Sequence, residues 1–479
     1  MLIVGACSRI LGITEGKPRE DAAAGGGSGG ANGGSGGRDA SAGGGGSPAG
    51  GVSAGGSGGS VAGAAGAAGS AGMAGVDAGP VVVWNDMTDP TRWLTFTITS
   101  APGLSGPFSG GTFDGRYVYL APAPATVPTR YDTTQSFISA AAWSEFNVAA
   151  TYPGAVGYHG GAIVAAGGVL FVPYYTGTAY HGFTVRYDPS KPFDMGSSWL
   201  EFNTNTLLTG SVGYSGSAFD GRYVYYAPNI WVNGAMVAVR HGRVARYDTT
   251  LPFDLGTSWA VHDATTENAG SVGFQGAVYA AGYVYFVPHY NTAYDGLVTR
   301  YNTRTAFDLA SSWGTFDTAT LNSQARGFVG GVFDGRYVYF VPYANAPATF
   351  HGNVVRYDTQ APFSTATSWV VFDAGTVNPA VQGFTAGGFD GRYAYFSPNS
   401  SGTIVRYDTT AAFADLTSWQ AFDLLPLNAS AKGYFGSVFD GEYMYFVPSP
   451  NGGAGNVVAR FDARTPRTLT LPYNGGSFW

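Results

Sequence analysis

Among the side chains of this sequence, the histidines are best suited by type to do chemistry, and five of the six fall in related contexts. His181, His241 and His351 are each followed by glycine, and Asp295-Gly296 stands at the matching point of its own segment. His159 opens a His-Gly-Gly run, and His289 follows Pro288 directly. A neutral imidazole can ligate a divalent metal or exchange protons near neutral pH. Ligands from separate segments meet only where a fold gathers them, and no His-Glu-x-x-His pair at helical spacing does so locally. The plainer alternative is that His-Gly and Asp-Gly are turn dipeptides.

Aromatic and amide side chains cluster beside these histidines: Tyr174, Tyr175, Tyr180, Asn229, Trp231, Tyr290, Asn291, Tyr294, Tyr343 and Asn399. Flat rings with amide and hydroxyl partners suit sugars and polar peptides. The candidate binding set is therefore His159, Tyr174, Tyr175, His181, Trp231, His241, His289, Tyr290, Asp295, Tyr343 and His351. Acids are less promising. Of the 25 Asp and 6 Glu, 18 Asp recur at fixed points of a repeat, where an architectural role is expected. Glu145, Glu201, Glu267, Asp295, Asp415 and Glu442 fall outside that pattern, and only Glu267 and Asp295 sit near a loop face of interest. No nucleophile elbow, phosphate-cradling loop or dinucleotide fingerprint is present, so no catalytic residue is assigned.

The elements that must position these groups are read from internal repeats. A proline recurs at Pro122, Pro173, Pro228, Pro288, Pro342, Pro398 and Pro448, at intervals of 50 to 60 residues. Arg-Tyr-Asp recurs at Arg130, Arg186, Arg246, Arg300 (with Asn302), Arg356, Arg406 and Arg460 (with Phe461). Trp-x-x-Phe recurs at Trp143, Trp199, Trp259 (with His262), Trp313, Trp369 and Trp419. Each repeat reads as four strands. A glycine-rich strand one ends at Asp-Gly, taken as the two φ > 0 residues of a type I′ hairpin. Strand two, Tyr-Val-Tyr-Phe-Val, is apolar throughout, as for a strand covered on both faces. Strand three is Val-Val-Arg-Tyr-Asp, with its arginine expected to pair with an Asp or a carbonyl. Strand four is Ser-Trp-x-x-Phe-Asp. Seven such units predict an all-β, seven-bladed β-propeller of four-stranded antiparallel blades over 81–479.

The seventh repeat lacks its own Trp-x-x-Phe strand, and an orphan copy, Arg92-Trp93-Leu94-Thr95-Phe96, precedes the first. An N-terminal strand is thus expected to close the ring and remove a sheet edge. The tail Thr468-Leu469-Thr470-Leu471 competes for that place. In this topology strand one starts, strand two ends and the two–three turn lies on one face, the top. Five of the six histidines fall on it.

The repeat Phe333-Asp334-Gly335-Arg336-Tyr337-Val338-Tyr339-Phe340 resembles that of bacterial surface β-propeller lipoproteins, over about residues 90–462. The aromatic spacing is also similar to kelch repeats, without their Gly-Gly placement. Residues 1–21 read as a lipoprotein-type leader, because Val4-Gly5-Ala6-Cys7 resembles a lipobox with Cys7 as the lipidated residue. No basic stretch precedes it. Residues 22–80, almost wholly Gly, Ala and Ser, cannot bury enough apolar surface to fold, and are expected to be a disordered tether. About 70 residues of such coil span roughly 45 Å.

Charged residues are 11% of the chain and the net charge is −7, with no basic stripe, which argues against nucleic acid as partner. The resemblance implies export and a lipid anchor at the outer membrane or cell surface as the chain's membrane contact. The expected function is a monomeric, non-catalytic binding module for carbohydrate or another surface protein. Two alternatives stand beside it: a purely structural scaffold, and a metal-dependent hydrolase resembling sugar lactonases. Against the latter, the strand-one positions nearest the axis are Ser109, His159, Ser215, Gln275, Val329, Thr385 and Phe435, with no acid among them. No cofactor is expected, with calcium or another divalent metal the one candidate.

Overall fold

In the computed structural model, residues 85–464 are described apart from 102, 125, 126, 166, 380 and 451–455. The leader, Cys7, the linker and the competing tail strand lie outside the described residues.

Seven four-stranded antiparallel sheets form the propeller. Blade 1 comprises Phe108–Phe113, Tyr117–Pro122, Thr129–Asp132 and Trp143–Glu145. Blade 2 comprises Tyr158–Ala165, Gly168–Pro173, Phe183–Tyr187 and Trp199–Asn203. Blade 3 comprises Tyr214–Phe219, Tyr223–Pro228, Arg243–Asp248 and Trp259–Asp263. Blade 4 comprises Phe274–Ala280, Tyr283–Pro288, Leu297–Asn302 and Trp313–Asp317. Blade 5 comprises Phe328–Phe333, Tyr337–Pro342, Asn353–Asp358 and Trp369–Asp373, and blade 6 Phe384–Phe389, Tyr393–Pro398, Thr403–Asp408 and Trp419–Asp423. Blade 7 takes Tyr434–Phe439, Tyr443–Pro448 and Val457–Asp462 from the C-terminal end and Trp93–Thr97 from the N-terminal end. In that closure Trp93 pairs with Phe461 and Thr97 with Val457, antiparallel.

The blades are joined by aromatic stacking. The strand-four aromatic of each blade lies against the strand-four tryptophan of the next, with ring centroids 4.4–5.8 Å apart at all seven interfaces. The N-terminal strand serves two of them, Trp93 against Phe422 and Phe96 against Trp143. Each tryptophan also donates its indole N–H to a carbonyl six residues back, so the buried polar atom is satisfied.

Two expectations about the frame are corrected. The Asp-Gly pair is not the centre of a type I′ turn. Only the glycine has positive φ, 98–103° in the five such turns, and the central pair is Gly-Arg, or Gly-Glu in blade 7. The aspartate stands just before the turn, where one carboxylate oxygen accepts the N–H groups two and three residues on and the other accepts the strand-two tyrosine hydroxyl. In blade 5, Asp334 accepts from Arg336 N at 2.8 Å, Tyr337 N at 2.6 Å and the Tyr339 hydroxyl at 2.6 Å. The same set recurs at Asp114, Asp220, Asp390 and Asp440. The two-residue loop with both φ positive occurs in blade 4, at Ala281 (51°) and Gly282 (86°).

Among the described residues the strand-three arginines make no ion pair with an acid, and of the expected carbonyl pairings Arg406 makes one, donating to the Asn85 carbonyl at 2.6 Å. Arg130, Arg246, Arg300, Arg356 and Arg460 each lie between the strand-two tyrosine of their own blade and a phenylalanine of the next, 4.0–4.7 Å from the ring centres. A weakly hydrated, planar guanidinium suits such a sandwich. The ion pairs instead join the arginine after Asp-Gly to the aspartate ending strand three, as in Arg222–Asp248 at 2.6 Å and Arg336–Asp358 at 2.7 Å. Blade 7 has Glu442 at that point, and Asp462 pairs with Arg464.

Candidate functional site

The top face is organised by a repeated device that explains three of the candidate histidines. In blades 2, 3 and 5 the histidine of the two–three connection is buried. Its Nε2–H donates to a carbonyl in the lead-in to its own blade: His181 to Gly157 at 2.9 Å, His241 to Val212 at 2.8 Å, His351 to Arg326 at 2.8 Å. Its Nδ1 accepts the N–H two residues on, from Phe183, Arg243 and Asn353. Its own carbonyl accepts from the lead-in glycine of the following blade, Gly213, Gly273 or Gly383. Asp295 in blade 4 takes the same place, accepting Leu297 N at 3.1 Å, with Gly327 N donating to its carbonyl. Both ring nitrogens of His181, His241 and His351 are therefore spent on backbone, as the turn-dipeptide alternative requires. Burial lowers the pKa of all three, to about 3 for His241 and about 4 for His351. Burial likewise raises Asp295 above the usual carboxylate range.

His159 and His289 stand elsewhere, at the mouth of the axial channel. Two positions per blade face the axis there, the second residue of strand one and the residue after the strand-two proline; most are buried, and Val329, Phe435 and Tyr343 pack together. Backbone shape at the first is set by a bulge, where strand one slips register at a glycine of positive φ, as at Gly436 (108°) and Gly276 (104°). An added Cβ on Gly436 would lie 2.6 Å from Gly110 Cα of the neighbouring blade, so these strands crowd the axis. His159 stacks on Tyr174 at 4.4 Å and meets Phe435 of blade 7 at 4.7 Å, which places it at the centre of the ring. Its Nδ1 lies 2.8 Å from Ser215 Oγ. His289 donates from Nδ1 to the Phe328 carbonyl at 3.0 Å, which leaves Nε2 as an acceptor. It contacts Tyr294 at 5.5 Å and Tyr343 at 5.6 Å. Burial pushes His159 down to about 4. Burial, with a lesser push from Arg240, takes His289 to about 3. Both are neutral at physiological pH.

The remaining candidates divide between these two settings. Tyr174 joins Tyr180 at 5.5 Å, Tyr175 joins Tyr180 at 4.9 Å, Tyr290 joins Tyr294 at 5.4 Å and Tyr343 joins Phe350 at 5.3 Å. Short hairpins raise the wall over blades 3, 4 and 5: Ile230–Val232 with Ala238–Arg240, Tyr290–Asn291 with Ala293–Tyr294, and Ala344–Ala346 with Thr349–Phe350. Trp231 lies beneath the Arg243 guanidinium at 4.6 Å, on the flank of its hairpin. Glu267, the other off-pattern acid expected near a loop face, bonds to His262 at 2.9 Å.

The residue that sequence reasoning missed is Arg240. It occupies the position just before the connection histidine, where blades 2, 4 and 5 carry Tyr180, Tyr294 and Phe350. In those blades that aromatic packs on the residue after the strand-two proline, as Tyr174–Tyr180, His289–Tyr294 and Tyr343–Phe350. In blade 3 both partners change together, to Asn229 and Arg240, and Arg240 Nη1 donates to Asn229 Oδ1. The guanidinium is 5.2 Å from the Tyr290 ring centre. Comparing cations as well as acids, repeat position by repeat position, would have found it. Among the described residues no three His, Cys, Asp or Glu side chains come together as a metal site.

No protein-family model and no curated protein matches the sequence. Among solved structures the chain is similar to a virginiamycin B lyase from Staphylococcus aureus at 12% identity and a TM-score of 0.48, over 78% of this chain and 99% of that one. It is similar to YCF48 bound to D1 peptide at 10% identity and a TM-score of 0.48, over 78% and 96%. The Pan2 WD40 domain of Neurospora crassa shows 9% identity and a TM-score of 0.49, over 79% and 98%. Likeness at this level concerns fold alone.

Proposed function

We propose that this propeller is a non-catalytic binding module, displayed on a bacterial envelope by a Cys7-anchored tether, whose ligand face is the top of blades 2–5. One observation carries the reading. The channel mouth gathers Tyr174, His159, Asn229, Arg240, His289 and Tyr343 from four blades, while seven-fold repetition governs the frame below. These groups are donors, acceptors and ring faces with no carboxylate among them, a set fitted to recognition. A lactonase-type hydrolase needs acidic ligands at this mouth, and the nearby guanidinium of Arg240 opposes a cation there. A pure scaffold has no use for a broken repeat at the centre of an exposed face.

A thermal-shift screen of the full chain against neutral and acidic glycans, calcium, zinc, a chelator and simple sugar lactones tests this. A ligand at 100 times its Kd adds about 2.7 kcal/mol. A glycan shift unaffected by chelator, and lost in Tyr174→Ala, is the expected result. Destabilisation by chelator, or turnover of a lactone, would replace this reading with the hydrolase. Silence across the panel would leave the scaffold.

A further inference from the structure

The blade 3 exchange is double and matched. Three blades put a ring on a ring at one place, and the fourth puts a guanidinium on an amide at the same place. Packing does not call for it, since the aromatic pair serves equally well three times around the same ring. A half-buried cation also gives up hydration that an aromatic does not need. Asn229 is itself 1% exposed and is anchored by Nδ2, which donates to the Phe274 carbonyl at 2.6 Å, so its Oδ1 is held rigidly toward Arg240. The ion pairs nearby leave Arg240 out: Arg243 faces Asp263 at 3.8 Å, and Glu267 faces His262. Among the described residues no carboxylate lies within ion-pair distance of Arg240. One Nη1–H is committed to Asn229 and the guanidinium lies 5.2 Å from the Tyr290 ring centre, and among the described residues the rest of the fork makes no hydrogen bond.

We infer that this is an anion subsite and that the ligand of the top face is a saccharide carrying a carboxylate, held by Arg240 and flanked by the rings of Tyr174 and Tyr290. The inference rests on the binding-module reading above and names its ligand class. A planar fork with open donors matches a carboxylate in two-point geometry. The ring faces and the free Nε2 of His289 supply what the rest of a sugar needs, a surface for its C–H face and an acceptor for a hydroxyl. A peptide would need backbone partners. The top-face carbonyls of His181, His241, Asp295 and His351 already accept from lead-in glycines, so that ladder is occupied. Asn229 is a positioning residue, acting through Arg240.

The test is calorimetric binding to the full chain with matched probes: trigalacturonate against its methyl ester, and sialyllactose against lactose. The expected result is that at least one acid binds 10-fold or more tighter than its neutral partner, with affinity falling as salt rises. Arg240→Gln should abolish that preference, while Arg240→Lys keeps part of it. Asn229→Ala should weaken the acid and leave the neutral form unchanged. The acid–neutral comparison on the parent needs no variant, so it stands even if a variant misfolds. Equal binding of acid and neutral sugar would overturn the carboxylate inference and leave the binding module intact. No binding by any saccharide or peptide would overturn both. Binding confined to peptides with a free C-terminal carboxylate, lost on amidation, would overturn the saccharide assignment.

Discussion

The bottom turns and the top connections of this propeller are made by the same seven repeats, yet they behave differently. At the bottom, five Asp-Gly turns close with nearly identical bonds, and substitutions are absorbed locally, as where Arg464 takes over from the arginine that Glu442 replaces. At the top, the connection residue is His, His, Asp, His and Ser401 in blades 2 to 6, and the mouth changes chemistry from blade to blade. A residue that recurs solves a packing problem, and a departure from the repeat points to chemistry only when its partners depart as well. His262 shows the limit. It replaces the strand-four phenylalanine but stacks on Trp313 at 4.6 Å as phenylalanine does elsewhere, so the frame absorbs it. Arg240 and Asn229 changed together, and while Asn229 bonds to the next blade at Phe274, the frame has no partner for the Arg240 charge.

This contrast can be broken most forcefully at the closure. Removing the residues up to 98 strips blade 7 of its fourth strand and two interfaces of Trp93 and Phe96. The melting temperature should fall substantially. A truncated protein that melts as its parent does would show that another segment closes the ring. Next, Trp199→Ala deletes a fully buried indole and should cost about 3–5 kcal/mol in denaturant unfolding. A loss under 1 kcal/mol would mean the stacked interfaces are not what joins the blades. Third, Asp334→Ala leaves two backbone N–H groups and the Tyr339 hydroxyl without their acceptor, a loss of about 2–3 kcal/mol.

Acid separates the two faces without mutation. His159, His181, His241, His289 and His351 have folded-state pKa values lowered by burial, to about 3–4 where the shift is large. The unfolded chain takes up protons at these positions near pH 6.5. The folded chain does so only well below, so stability falls as pH drops from about 6.5 toward 4. On the bottom face, hydrogen bonds from Arg116 and Thr134 help hold Asp132 near 2, so its contribution is lost only below about pH 4. Hydrogen exchange at pH 5 should therefore quicken in the top connections while the end of strand three at Asp132 stays protected. Uniform acceleration would erase the distinction. The smallest stability effect is expected from Arg240→Gln, about 1 kcal/mol or less. A larger loss would make Arg240 part of the frame.

Much of this was legible in the sequence. The prolines, Arg-Tyr-Asp and Trp-x-x-Phe set the blade number and strand order, and the missing seventh Trp-x-x-Phe set the closure, because each motif is local and period-2 patterning shows which strands are buried. The turn-dipeptide reading of His181, His241 and His351 was open to the same logic. Their hydrogen bonds were not, because Gly157 and Val212 are 24 and 29 residues away from the rings they bind. Five of the strand-three arginines were misread for the same reason, since their phenylalanine partners belong to the next blade, while Arg406 does meet a carbonyl, that of Asn85. The sequence by itself determined a closed ring of seven repeats with an unusual face, because repetition and burial are written residue by residue. Only the tertiary structure decided that His159 of blade 2 meets Phe435 of blade 7 over the axis, and that Asn229 and Arg240 replace an aromatic pair. Convergence at an axis depends on how seven blades crowd one another, and no spacing along the chain records it.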